Sequence, residues 1–263
     1  MFIIFLLCLM ALFAPILTKH PWNMPSGSAL EAPSKAHILG TDDLGIDLWA
    51  QICYGARNSI LVGIGSALLS SFLGAFLGIV SGYYGGITDL AVTAVIDILM
   101  AIPNLPIMIV AGPFFGPSVK NIIIILSILS WAVPARLIRS KVLALKQETY
   151  VKVAKGYGAN FVYITFRHFM PQLFPIYATS FIKLISKAIV SEASLSFLGL
   201  GDPTSKSWGL ILNYALNFSG IYFTDFWKWW VVYPLAFIIC LVLATAILSR
   251  ELEKVWDVKL SGL

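Results

Sequence analysis

Ser191 beside Glu192 is the only pairing of a nucleophile with a base inside an apolar segment of this 263-residue chain long enough to cross a bilayer. A serine activated by a neighbouring base is the material of covalent catalysis, but adjacency in sequence is weak support for it. The same segment, residues 173–198, also carries Lys183 and Lys187. Each of these three charges would cost about 2.5 to 3.5 kcal/mol at a lipid-exposed bilayer centre, so they are expected to face protein or water. Ser180, Lys183, Lys187, Ser191 and Ser194 follow 3, 4, 4, 3 spacing and share one helical face, with Glu192 off that stripe if the helix is regular. Lys183, Lys187, Ser191 and Glu192 are the candidates for lining a translocation path, and two lysines there would favour an anionic or carboxylate-bearing cargo. Lys183, early in the segment, could equally snorkel towards the cytoplasmic interface.

Other chemistry-bearing residues give less. The run His37 to Trp49, HILGTDDLGIDLW, holds three carboxylates, Asp42, Asp43 and Asp47, within six positions, yet lacks the EF-hand spacing. Turns and helix caps are the expectation, and no residue is assigned to a metal. Cys8, Cys53 and Cys240 are isolated, and His20, His37 and His168 fall in predicted loops with no carboxylate at helical spacing. Asp97, inside an apolar segment, is either functional or a local cap or partner. GDPTSKSWG, from Gly201, has Ser205 where a phosphate loop needs glycine before its lysine, so no ATP site is assigned.

The elements that must position these residues are membrane helices. The chain is 59% hydrophobic and 12% charged, with no soluble stretch long enough for a separate folded domain, which predicts one all-α, polytopic membrane domain over 1–263. About six spans are expected, at 2–17, 60–82, 90–111, 122–138, 173–198 and 231–248. A net charge of +5 could suggest nucleic acid, but the basic residues concentrate between Arg136 and Pro175, and membrane orientation explains them more simply. That bias places the loop 139–172 and both termini in the cytoplasm, with external loops at 18–56 and 201–228. The first segment lacks a basic leader and an Ala-x-Ala cleavage site, so it is expected to be a span and not a signal peptide. Ser70, Gly74, Gly78 and Gly82 recur every fourth residue and predict a close helix contact. Phe226, Trp227, Trp229, Trp230 and Tyr233 read as an aromatic belt at the external interface.

The basic loop is no plain tether. Ser140 to Ala154 is rich in helix formers, while Gly156, Gly158, Pro171 and Pro175 punctuate the stretch after it, and short helices joined by turns are expected. Its apolar residues, among them Val151, Val153, Phe161, Val162, Ile164, Phe166 and Phe169, need a surface, either the membrane domain or a partner. The loop could hug lipid or dock a cytoplasmic protein.

The run KVAKGYGANFVYITFRHFMP resembles the cytoplasmic loop of binding-protein-dependent ABC importer permeases. Lys152, Val153 and Ala154 stand at that family's Glu-Ala-Ala positions, Gly158 at its glycine, followed by Ala159, and Met170 and Pro171 at its closing hydrophobic-Pro pair. Lys152 replaces an acid and Val153 a small residue, which implies a changed partner surface. GYYGGITDL, VIDILMAIPNLP and SEASLSFLGLG (Ser191 to Gly201) resemble the dipeptide, oligopeptide and nickel branch, in its second-permease type. The resemblance implies a type I ABC importer permease fold in a prokaryotic inner membrane. It also implies a second permease subunit in a heterodimer, two ATP-binding subunits that use ATP and Mg, and an extracytoplasmic substrate-binding protein. No cofactor is bound by this chain itself on that reading. The implied cargo is a di- or oligopeptide, with nickel or a metal chelate as the alternative. An intramembrane enzyme built on Ser191 and Glu192, or a self-sufficient channel, are the readings from other classes.

Overall fold

The computed structural model describes residues 2–261, with side chains through Val255. Among the described residues the secondary structure is helical, apart from a single bridge between Thr41 and Asp47. Two short helices, α1 (Phe2–Leu12) and α2 (Ala14–Leu17), precede an ordered loop and the long α3 (Leu48–Tyr84). α3 starts where it does because the Asp47 carboxylate accepts the Ala50 N–H at 2.8 Å, an N-cap. It packs against α1, α6 (Val119–Ser130), α7 (Ala132–Leu145) and α10 (Met170–Phe197), and is the axis of the bundle.

Four helices are long and apolar enough to cross a membrane: Leu48–Tyr84, Val119–Leu145, Phe161–Phe197 and Trp227–Val255. A fifth candidate is the pair α4 (Gly86–Ala101) and α5 (Asn104–Phe115), bent by 94°. The bend has a local cause. Pro103 brings no N–H and disfavours a helical Ile102, which is extended at ψ 131°. The expected span at 90–111 is thus a pair of helices joined at a sharp break.

The expected span at 2–17 also differs. α1 has 11 residues, a rise of about 16 Å against a hydrocarbon core of about 30 Å. It packs instead on α3 and α13 (Val232–Ser261), burying Leu7 and Met10. Trp229 and Trp230, expected at an interface, are buried in the cluster that holds Trp208, Leu48 and Ile52. Between α7 and α10 the chain makes α8 (Thr149–Gly156) and α9 (Phe161–Ile164), and a π-helical turn at Thr165–Phe169 runs directly into α10. Met170 and Pro171 therefore begin a helix rather than close a loop, Pro171 falling where its missing N–H costs nothing.

Candidate functional site

The small-residue face of α3 sets the frame. A Cβ on Gly74 would stand 2.7 Å from the Trp131 carbonyl oxygen, one on Gly78 2.6 Å from that of Ala135, and one on Gly82 2.8 Å from a Val142 methyl. The backbones of α3 and α7 meet there, and a larger residue would force them apart. Ser70 donates to the Ser127 carbonyl at 3.4 Å on the same face.

Three of the basic residues expected to mark a cytoplasmic loop bond to neighbouring helices. Arg139 donates Nε and Nη2 to the Asp89 carboxylate at 2.5 and 2.6 Å, and Ser81 donates to the same group. Arg136 pairs with Asp97, whose role is thus a partner for a neighbouring helix. Lys146 donates to the Tyr83 carbonyl at 2.7 Å. Asp89 carries no signal in the sequence because it lies just ahead of its apolar segment, and its arginine stands fifty positions away.

Past Lys146 the chain sorts its apolar residues by face. Val151, Ile164 and Phe169 are buried against Ile79, Ile138 and Val142, and Phe161 stacks on Tyr83 and Tyr84. Val153, Phe166 and Tyr157 remain 51%, 68% and 90% exposed, beside exposed Lys152, Lys155 and Arg167. α8 ends in a reverse turn in which the Ala159 N–H reaches the Ala154 carbonyl and the Gly158 N–H that of Lys155, both at 3.0 Å. Gly158 has φ +84°, a conformation that costs an L-residue about 1 to 2 kcal/mol, which is the reason for glycine at this position.

The polar stripe of α10 is divided. Lys183 and Lys187 line a cavity of about 360 Å³ with Val133 and Leu137 of α7 and Glu253 of α13. Lys183 forms an ion pair with Glu253 at 2.5 Å. Lys187 also lines a second cavity of about 200 Å³, with Met100 and Ile102 at the α4–α5 break and Asn104 at the start of α5. Ser191 and Glu192 do not open on either cavity, and both are buried. Glu192 accepts from Ser196 at 2.7 Å and from Ser59 of α3 at 3.2 Å, so it ties α10 to α3 within the chain. Its place off the stripe, one residue beyond Ser191, turns it inward. Among the described residues no hydrogen bond joins Ser191 to Glu192, whose carboxylate is taken up by Ser196 and Ser59.

At the opposite end, the loop between α2 and α3 is internally bonded. Asp42 accepts the N–H groups of Leu44 and Ile46 at 3.0 and 2.9 Å and the Gln51 amide at 2.6 Å. His37 Nδ1 lies 2.9 Å from Asp47, a pairing ten residues apart that helical spacing could not reveal. Among the described residues no group of three potential ligands is arranged for a metal ion. Asp43, Lys206 and Tyr214 border an open cavity of about 500 Å³. Burial lowers the Lys206 pKa while Asp42 and Asp43 hold it up, and burial followed by Asp42 raises that of Asp43. Lys206 sits 4.5 Å over the Tyr214 ring.

The model of the family described as "Binding-protein-dependent transport system inner membrane component" matches residues 55–254. The oligopeptide transport system permease protein OppC of Bacillus subtilis is 33% identical over 98% of this chain and 84% of its own. The dipeptide transport system permease protein DppC of Alkalihalophilus pseudofirmus is 33% identical over 97% of this chain and 83% of its own. Among solved structures, a chain of the MetNI methionine ABC transporter in inward-facing conformations superimposes with a TM-score of 0.52. It is 17% identical and covers 76% of this chain and 96% of that one, a likeness of fold.

Proposed function

The chain belongs to the family of binding-protein-dependent transport system inner membrane components, and from that premise we propose that it pairs with a second permease to form the path of an ATP-driven peptide importer. Its fold is the all-α fold of the type I ABC importer permeases, and its relatives are permeases of oligopeptide and dipeptide transport systems. In the proposed assembly two ATP-binding subunits use ATP and Mg on the cytoplasmic side, and an extracytoplasmic binding protein delivers a di- or oligopeptide. The basic end of the bundle faces the cytoplasm on this reading.

The observation that carries the proposal is the sorted surface between Lys146 and Phe169. One face of α8 and α9 is anchored on α3 and α7, and the other offers Val153, Tyr157, Val162 and Phe166 between cations. An apolar patch rimmed by charge is the usual form of a protein-docking surface. Lys152, Val153, Ala154, Gly158 and Ala159 are assigned to that contact, with Met170 and Pro171 carrying its movement into α10. Closure of the ATPases on ATP draws the two permeases' excursions together and turns the path from inward-open to outward-open. Lys183 and Lys187 are the path-facing residues on this assignment, and Glu192 holds their helix to α3.

The test is co-purification of the tagged chain from native membranes. Recovery of a second permease with one or two ATPases supports the assignment, and recovery of this chain alone as a stable homo-oligomer overturns it. The recovered complex, reconstituted with its binding protein, should then accumulate a tripeptide in an ATP-dependent manner. Uptake of nickel in place of peptide would reassign the cargo.

A further inference from the structure

Lys187 is a charge within the bundle that has no ion pair among the described residues, the one carboxylate of its cavity, Glu253, being held by Lys183. It stands ten residues before the end of α10 at Phe197, about 15 Å along the helix axis. That is half the thickness of a hydrocarbon core of about 30 Å. From that depth the side chain cannot carry its ammonium to an interface. Lys183, one turn earlier, is paired with Glu253, whereas Lys187 has no hydrogen bond or ion pair among the described residues. The cavities it borders are lined mainly by apolar side chains, Val133, Leu184, Met100 and Ile102 among them, with Thr179, Ser180 and Asn104 as neutral polar groups and one carboxylate, Glu253, which Lys183 already engages.

The Lys187 side chain is exposed on the face of α10 that borders both cavities, and intramembrane charges of this kind mark transport pathways. The break between α4 and α5 reinforces the sign. Asn104, the first residue of the 12-residue α5, lines the same cavity, so the positive end of a helix lies on the side of the ammonium. Both features favour a negative group and oppose a bare divalent cation. A peptide supplies one negative group whatever its side chains, its terminal carboxylate.

We propose that Lys187 is the specificity-determining residue of the path, its ammonium receiving the C-terminal carboxylate of the peptide at mid-depth in the bundle. The inference rests on the peptide-importer reading above. The carboxylate gains a charge-assisted hydrogen bond where it would otherwise cross an apolar section unpartnered, and Lys183, tied to Glu253, leaves that role to Lys187 alone. A negative residue of the second permease could neutralise Lys187 in the same way, and the experiment separates the two.

The complete importer is reconstituted in proteoliposomes, and uptake of tri-alanine is compared with uptake of tri-alanine amide. The quantity read is the ratio of acid to amide uptake, because selectivity contributed by the binding protein is common to all variants and cancels between them. Lys187→Gln is expected to lower that ratio about tenfold, the weight of one charge-assisted hydrogen bond, and Lys187→Arg to keep it within about twofold. Lys183→Gln serves as the control for removal of a charge from the same cavity and is expected to move the ratio less than Lys187→Gln. A ratio unchanged in Lys187→Gln overturns the inference whatever happens to total uptake. If the second permease is also lost from that complex, the lysine belongs to the subunit interface. Should Lys187→Gln and the apolar Lys187→Met both fail to assemble, the charge is an assembly determinant and the inference is equally overturned. Failure of the wild-type complex to take up either peptide is a different result: it refutes the peptide reading itself.

Discussion

The loop before α3 and the excursion between α7 and α10 both join helices through turns, and they dispose of their groups in opposite ways. In the first, Thr41, Asp42, His37 and Asp47 are buried, and their side chains bond to the loop's own backbone, to one another, to Gln51 or to the start of α3. In the second, some apolar side chains pack inward and the rest stay exposed beside Lys152, Lys155 and Arg167, which make no ion pair among the described residues. A segment whose buried carboxylates are answered within the chain is a structural lid on the helix it precedes. A segment that keeps apolar and charged surface in excess is waiting for a partner, because both kinds of group cost free energy until they are covered. The contrast predicts that substitutions in the first region are read as lost stability, and substitutions in the second as lost coupling.

The largest effect is expected at Asp42. Replacing it with alanine strands the N–H groups of Leu44 and Ile46 and the Gln51 amide in a buried position, at a cost of about 3 kcal/mol. The purified complex should unfold at a markedly lower temperature, while uptake per folded complex stays within about twofold of wild type. A normal midpoint with abolished transport would break the contrast, since it would give the loop a direct part in transport.

Lys152→Glu is the complementary test. Its side chain is exposed and lies in no ion pair among the described residues, so removal leaves the fold as it was. If Lys152 meets an acidic patch on its ATPase, reversal of its charge should lower transport-coupled ATP hydrolysis about tenfold, or about 1.4 kcal/mol, with an unchanged thermal midpoint. Wild-type coupling in Lys152→Glu would remove that lysine from the docking surface.

Legibility in the sequence divides along the same line. Apolar runs and the four-residue spacing of Ser70, Gly74, Gly78 and Gly82 are local signals, and they suffice for helices and for the face of α3 that α7 approaches. The break at Ile102 is hidden because Pro103 sits inside a run that is apolar on both sides, and hydropathy does not register a 94° turn. The ion pairs of Asp89 with Arg139 and Asp97 with Arg136 lie fifty and thirty-nine positions apart, beyond any helical periodicity, so cations that count towards orientation in the sequence are partly spent in the bundle. Glu192 could be placed off the lysine face from spacing alone, and Ser196 lies at helical spacing from it, but its bond to Ser59 could not be read, because that serine comes from a helix 133 positions earlier.

Gly158→Ala probes the docking side at the backbone. An added Cβ meets nothing within 4 Å, so its cost is the φ of +84° alone, about 1 kcal/mol. Amides of α8 should exchange with solvent faster by about fivefold, as the turn that ends the helix is weakened. Asparagine at the same position should recover part of the loss, because its side chain tolerates the left-handed region. Equal exchange in Gly158→Ala and wild type would mean that the helix is held by Val151 and its neighbours and not by its end.

The smallest effect belongs to Asp202, between α10 and α11 (Trp208–Asn217), on the saturated side of the comparison. Burial raises its pKa, but the Thr204 hydroxyl and N–H, at 2.6 and 2.9 Å, and further bonds from Val119 and Ser205 outweigh that and hold it below the ordinary carboxylate value of 3.8. A carboxyl with a depressed native pKa contributes stability that is complete above its unfolded pKa and is lost as the pH falls through the native one. Solvent screens much of this, so Asp202→Ala should cost less than about 1 kcal/mol at pH 7. The difference in unfolding midpoint between wild type and Asp202→Ala should be constant from neutral pH down to the usual carboxylate range and close below it. If the difference persisted unchanged in acid, the Asp202 side chain would support its turn through packing and hydrogen bonds that survive protonation, and the depressed pKa would not be the source of its contribution.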